Sequence, residues 1–167
     1  MEYVDVYDKN RVKTGKIRLR ENPPEEGEYG LVVNIWIVND RNEVLLTRRH
    51  PKKRLWGGLW ECSAAGGVMA GEDSLQGAIR EAKEEIGVVL FQSDAVLIDS
   101  GIVREKLFRD SYLFKKNIDI GDLTLQSGEV ADAKWATEAE FDEMCEKGLI
   151  APPVRSFWQL YNNILSQ

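Results

Sequence analysis

From Gly66 to Val88 the chain reads GGVMAGEDSLQGAIREAKEEIGV, and this stretch decides the fold. Glu81, Glu84 and Glu85 stand at i, i+3 and i+4, so a helix would carry all three on one face. Like charges at that spacing repel by about 0.2–0.5 kcal/mol per pair. They also fall toward the helix C-terminus, where the macrodipole disfavours negative charge. Something positive should offset them, and a divalent cation with oxygen ligands suits carboxylates.

The surrounding residues agree with a helix built for that face. Leu75, Ala78, Ile79, Ala82 and Ile86 form an apolar stripe at helical spacing. Asp73 with Gln76 makes a capping box, and Gly87 is placed to end the helix left-handed. Gly77 lies one turn before the carboxylates. It either keeps space open above a metal site or simply sits on a solvated face.

Gly66, five residues, Glu72, seven residues, then Arg80-Glu81-Ala82-Lys83-Glu84-Glu85-Ile86-Gly87-Val88 resembles the Nudix box with every fixed position filled. The resemblance implies an α/β fold, an α/β/α sandwich on a mixed sheet, and a MutT-like pyrophosphatase, a metal-dependent hydrolase of nucleoside diphosphate derivatives. It implies Mg²⁺ or Mn²⁺ as cofactor, with Glu81, Glu84 and Glu85 as metal ligands. Arg80 would hold a glutamate in place, with Glu72 the candidate, while Gly66 and Gly67 shape the loop before the helix.

The N-terminal half is similar to the Nudix branch that includes isopentenyl-diphosphate isomerase: Asp5-Val6-Tyr7-Asp8, Thr14-Gly15-Lys16, Gly27-Glu28-Tyr29, Arg48-Arg49 and Leu55-Trp56 to Trp60-Glu61. The isomerase residues are missing, however. Ala65 stands where the isomerase has a cysteine, Gly30 and Gly67 where it has metal-binding histidines, and Arg104 and Lys106 where it has an acidic pair. His50 is the one histidine in the chain. Hydrolysis is therefore the expectation. An isomerase-like enzyme and a catalytically silent nucleotide-binding module are the alternatives, and an intact box argues against the latter.

Three further groups are candidates. Glu129, in Ser127-Gly128-Glu129-Val130, occupies a loop where family members place an additional acid. It joins Glu84, Glu85 and Arg80 as a candidate for the catalytic apparatus. Arg48 and Arg49 begin a basic block running to Arg54, and guanidinium grips phosphate bidentately. Trp56 could stack on a base, whereas Trp36 and Trp60 read as core.

The chain has 167 residues, which suits one domain spanning 1–167, with 1–29 as an N-terminal hairpin and linker. Its 28 acidic and 22 basic residues give a net charge of −6, which argues against nucleic-acid or anionic-membrane partners. A small nucleoside diphosphate derivative is the expected partner, and a second copy of the chain, as a homodimer, is a further candidate. The N-terminus has no signal-peptide pattern, and no apolar run approaches the roughly 18 residues of a membrane span. Cys62 and Cys145 match no zinc spacing and fit a reducing cytoplasm. With one histidine and no Gly-x-Ser-x-Gly elbow, a Ser–His triad is not supported.

The expected elements are strands over Tyr3–Tyr7 and Lys16–Arg20, a hairpin of Leu31–Val38 with Val44–Arg48, the motif helix, and strands over Ala95–Val103, Leu107–Lys115 and Val130–Trp135. A capping box at Thr137 and Glu140 opens a helix stopped by Gly148. A last helix, about Val154–Leu165, would bury Phe157, Leu160, Tyr161 and Ile164.

Overall fold

A computed structural model describes all 167 residues. Strands β1 (Tyr3–Tyr7) and β2 (Lys13–Leu19) form a separate antiparallel ribbon. The main sheet holds β3 (Gly30–Val38), β4 (Val44–Arg49), β5 (Trp60–Glu61), β6 (Ala64–Gly67), β7 (Val96–Val103), β8 (Leu107–Lys115) and β9 (Val130–Ala136). Helix α1 (Ser74–Ile86) packs on one face, and α2 (Glu138–Glu146) and α3 (Phe157–Leu165) cover part of the other. This is the expected α/β/α arrangement with a mixed sheet and an N-terminal hairpin.

The sheet is organised by β3, whose nine residues pair in parallel with β8 from Gly30–Leu107 to Val38–Lys115. Side chains alternate between the two faces of a strand. Leu31, Val33, Ile35 and Ile37 accordingly pack into one core with Ala78, Ala82 and Ile86 of α1. Trp36 and Val38 enter the opposite core, where the Trp36 and Phe157 rings stack at 4.1 Å between centroids. Gly30, Val32 and Asn34 share that second face, but they line an open cavity instead of meeting a helix.

The expected β3–β4 hairpin pairs at a single position, Val38 with Val44, and then splays. Ser63 explains the opening. Its Oγ receives the Ile37 N–H (2.9 Å) and donates to Leu45 O (2.7 Å), while its own N–H reaches Ile35 O (2.9 Å). One buried residue thus satisfies the backbone of both strands where they part. Beyond it β3 pairs with β6, while β4 takes β5 and β9. The two short strands β5 and β6 carry too few residues for a periodic signal.

Other boundaries shift modestly. Strand β2 begins at Lys13, because Arg11 takes a left-handed conformation (φ 63°) and closes the turn early. The capping boxes at Asp73–Gln76 and Thr137–Glu140 form as expected, and Gly87 ends α1 at φ 73°. Pro152–Val154 makes a 3₁₀ turn, so α3 proper starts at Phe157. In α3 the buried residues are Phe157, Trp158 and Tyr161, while Leu160 and Ile164 are only half-buried. No helix is long and apolar enough to cross a membrane.

Candidate active site

The loop between β6 and α1 is braced onto the helix by one arginine. Arg80 Nε and Nη2 donate to the two oxygens of Glu72 (2.7 and 3.0 Å), and Nη2 also reaches Gly67 O (2.8 Å). Glu72 in turn accepts the Met69 N–H at 2.9 Å. Burial disfavours the charge on both side chains. Their mutual hydrogen bonds outweigh it, holding the Glu72 carboxyl below and the Arg80 guanidinium above their ordinary values. Arg80 Nη1 extends the network to Glu81 (2.9 Å) and Glu84 (3.2 Å).

Glycine at position 66 has a specific cause. A Cβ there would stand 2.1–2.5 Å from the Glu81 carboxyl atoms, so the carboxylate lies where a side chain would be. At Gly67 the Arg20 guanidinium comes within 3.2 Å of a would-be Cβ. Gly77 differs from both expectations: it is buried, 3.0 Å by the same measure from Val68 Cγ2. It lets the helix sit close on the loop. It neither opens space above the carboxylates nor faces solvent.

Glu81 is 5 % exposed, and burial raises its carboxyl despite the opposing Arg80. Glu85 is shifted further, up to about 8. Burial dominates, the Ala65 N–H opposes it (3.0 Å to Oε2), and the charges of Glu81, Glu61 and Glu129 add to it. Glu84 is exposed. These three carboxylates do not converge into a ready cage, because Arg80 bonds both Glu81 and Glu84. The chemistry of the set still fits a hard divalent cation: every donor is a carboxylate oxygen, and Glu85 has no cationic partner. A nearby cation would favour the ionised form that burial disfavours.

The carboxylates line a cleft of about 500 Å³ with Arg20, Lys53, Gln126 and Glu129. Glu129 is therefore beside Glu85, and it forms an ion pair with Lys53. The cleft continues into a cavity of about 740 Å³ on the uncovered face of β3, and Arg20, Lys53, Glu85 and Glu129 border both. Arg49 lines this cavity, with Nη1 bound to both Glu61 oxygens (2.9 and 3.1 Å) and Nε bound to Leu55 O. Trp56 is at its rim, half-buried, with the Arg104 guanidinium 4.9 Å above its ring.

Arg48 lies elsewhere. Adjacent strand residues face opposite ways, and Arg48 is exposed outside the cavity, donating to Gly58 O at 2.9 Å. Sequence reasoning also missed Glu61 and Arg20, and within the basic block it favoured the two arginines over Lys53, which borders both cleft and cavity. Glu61 is largely buried and held above the ordinary carboxylate range by burial, against the pull of Arg49. Its signal was a lone acid between Trp60 and Cys62 in an otherwise apolar segment. Arg20 gave no signal, because only tertiary packing of the ribbon brings it to Gly67.

Residues 28–157 match the model of the NUDIX domain. The uncharacterized Nudix hydrolase lmo0368 of Listeria monocytogenes is 36 % identical over 152 residues, covering 91 % of this chain and 89 % of that protein. Isopentenyl-diphosphate Delta-isomerase of Paenarthrobacter aurescens is 34 % identical over 117 residues, 65 % of this chain and 61 % of the isomerase. Among solved structures, DR0079 from Deinococcus radiodurans superposes with a TM-score of 0.71 at 22 % identity, covering 90 % of this chain and 92 % of that one.

Proposed function

The chain belongs to the NUDIX domain family, a family of hydrolases acting on pyrophosphate bonds, and from that premise we propose that it is a Mg²⁺- or Mn²⁺-dependent pyrophosphohydrolase of a nucleoside diphosphate derivative. One observation carries the reading: buried, under-compensated carboxylates face a cleft that is continuous with a cation-bordered cavity. The acidic end suits a divalent cation, and the basic end suits the anionic substrate.

In this reading Glu81, Glu84 and Glu85 hold the cation, which neutralises phosphoryl oxygens and acidifies water when bound. Arg80 positions two of them and fixes the loop through Glu72. Water adds to phosphorus, the bridging P–O bond breaks, and each half leaves as a phosphate. The attacking water gives up a proton to a carboxylate, with Glu84 and Glu85 the leading acceptors. Glu85 Oε1 has no protein hydrogen bond, so this oxygen is free to accept a proton from water or to meet the cation. Glu129 borders the same cleft and is a further acceptor once parted from Lys53. Arg49 and Lys53 are placed to exchange their carboxylate partners for substrate oxygens, and Trp56 to pack on a base at the rim.

Isomerisation of isopentenyl diphosphate has less support. Ala65 offers no thiol, the space beside Gly30 holds Leu107 and the Arg18 guanidinium, and that beside Gly67 holds the Arg20 guanidinium.

The test is phosphate release from a panel of nucleoside diphosphate derivatives, with Mg²⁺, with Mn²⁺ and in chelator. Turnover should vanish in chelator. Glu84→Gln should lower the rate by about two orders of magnitude, near 3 kcal/mol of lost transition-state stabilisation. Full turnover in chelator, or an unimpaired Glu84→Gln, would overturn the assignment.

A further inference from the structure

The large cavity is far more basic than a protein of net charge −6 leads one to expect. Six cationic side chains line it against three carboxylates. Two of those carboxylates, Glu61 and Glu129, are already paired with Arg49 and Lys53. The third, Glu85, belongs to the acidic cleft. That leaves Arg18, Arg20, Arg104 and Arg109 facing a cavity with no carboxylate of its own to meet them. Arg20 is tied only to Glu2 through a largely exposed pair, and Arg109 to the half-exposed Asp99 at 3.2 Å. Arg18 has no carboxylate partner; its Nη1 donates to the carbonyls of Leu19 and Asn22.

Two of these guanidiniums carry an unmet demand. Arg18 Nε and Arg109 Nε are buried and have no hydrogen-bond partner. A buried donor left unsatisfied costs about 1–3 kcal/mol, so turning either guanidinium toward an acceptor in the cavity would relieve that cost.

Their place is fixed by the sheet. Arg109 pairs with Val32 from one side of β3, and Gly67, beneath Arg20, pairs with Val32 from the other. Two strand spacings therefore separate the backbones of Arg109 and Gly67, about 10 Å. The Arg18 guanidinium sits over Gly30, 3.3 Å from a would-be Cβ and two residues further from the carboxylates along β3. Arg18 and Arg109 border the large cavity but not the acidic cleft. Arg18 also comes from the N-terminal ribbon, outside the residues that match the NUDIX model.

We infer that Arg18 and Arg109 form a distal anion subsite: the substrate carries a second anionic group, phosphate or carboxylate, on the moiety attached to the diphosphate. This rests on the cavity being the substrate site, as proposed above. Arg18 and Arg109 border the cavity but not the acidic cleft, so with a diphosphate held at the cleft they act on a different group. The N-terminal ribbon is then a specificity element, since without it the subsite loses Arg18.

Matched ligand pairs test this without turnover. Coenzyme A and dephospho-coenzyme A differ by one phosphate; uridine diphosphate glucuronate and uridine diphosphate glucose differ by one carboxylate. Each is titrated calorimetrically against the full chain in chelator, so a failure of hydrolysis would not affect the result. The member with the extra anion should bind at least about tenfold tighter in at least one pair, as expected for charge-assisted hydrogen bonds. The pair that discriminates identifies phosphate or carboxylate as the group recognised. Arg18→Gln and Arg109→Gln should each reduce the preference, Arg18→Lys should retain part of it, and the exposed Lys9→Gln should leave it intact. Equal binding within both pairs overturns the inference, and no measurable binding of any member overturns the cavity as the substrate site and the inference with it. So does a preference that survives Arg18→Gln and Arg109→Gln together. Because the wild-type comparison needs no variant, a folding defect in a variant does not rescue it.

Discussion

Glu85→Gln should stabilise the metal-free protein at neutral pH while removing its activity. Burial pushes the Glu85 carboxyl from 4.5 up to about 8, with the Ala65 N–H opposing and three nearby glutamates adding. A carboxyl raised on folding holds its proton more tightly in the folded chain than in the unfolded one. Its stabilising contribution is therefore full below about pH 4.5 and is lost as pH rises through about 8. At about 1.4 kcal/mol per pH unit, ionisation would cost about 4 kcal/mol by pH 7.5. Water in the cleft and relaxation of its side chains reduce this to the order of 1–3 kcal/mol. Gln keeps the shape, can still accept the Ala65 N–H, and has no charge to desolvate. At about 2–4 °C per kcal/mol for a chain of this size, the variant should melt about 2–12 °C higher at pH 7.5 in chelator. The gap should nearly close by pH 5. Adding Mg²⁺ should narrow or reverse it, because an ion bound only by the folded wild type stabilises by mass action. The assay is thermal unfolding by circular dichroism across that pH range, with and without Mg²⁺. A gain that is the same at both pH values, or a variant that melts lower at pH 7.5, refutes the claim that Glu85 is a strained carboxyl awaiting a cation.

Gly66→Ala should displace the Glu81 carboxyl that lies 2.1–2.5 Å from the added Cβ. Turnover should fall about 100-fold, with a stability cost of about 1–3 kcal/mol; kinetics beside thermal melting separates the two. Arg80→Gln leaves Glu72 and Glu81 without their cation and should lose about 2–4 kcal/mol together with activity; normal turnover in a protein of unchanged melting point would contradict its bracing role. Asp110→Asn removes the buried partner of Arg11 and weakens the bond from Ser100, so it should cost about 2–3 kcal/mol in urea unfolding. Isopentenyl diphosphate should not be isomerised; dimethylallyl diphosphate detected above a Glu84→Gln control by mass spectrometry would reverse that expectation.

What the sequence made legible follows from where the information is local. The helix Ser74–Ile86, its two caps and the Arg80–Glu72 brace are written in contacts between residues at most eight apart, so spacing alone reveals them. Family resemblance alone points to Glu129, in a loop with no periodic signal, and the folded chain sets it at the cleft. Arg48 and Arg49 show the limit: composition marks both, but only the register of β4 decides which faces the cavity. The splayed hairpin was unreadable because Ser63 joins two strands from a distance, 18 residues from Leu45 and 26 from Ile37.

The same reasoning explains why the cavity itself left almost no trace. Strand β3 is apolar nearly throughout, so its sequence reads as buried on both faces, and along one face it is. On the other, Trp36 and Val38 meet Phe141, Phe157 and Tyr161, while Gly30, Val32 and Asn34 meet no helix. The difference lies in how far α3 reaches, since Phe157, Trp158 and Tyr161 cover one end of β3 only. Small residues at Gly30, Ala65, Gly66 and Gly67 keep the floor low beneath the uncovered half. Arginines from the N-terminal ribbon then supply charge where the strand supplies none. A site assembled this way is encoded by what the floor lacks and by what a distant segment brings. Glycine at Gly30 and Gly67 reads as missing isomerase ligands in the sequence, and in the folded chain it leaves the space that Leu107 and Arg18 share at one position and Arg20 takes at the other.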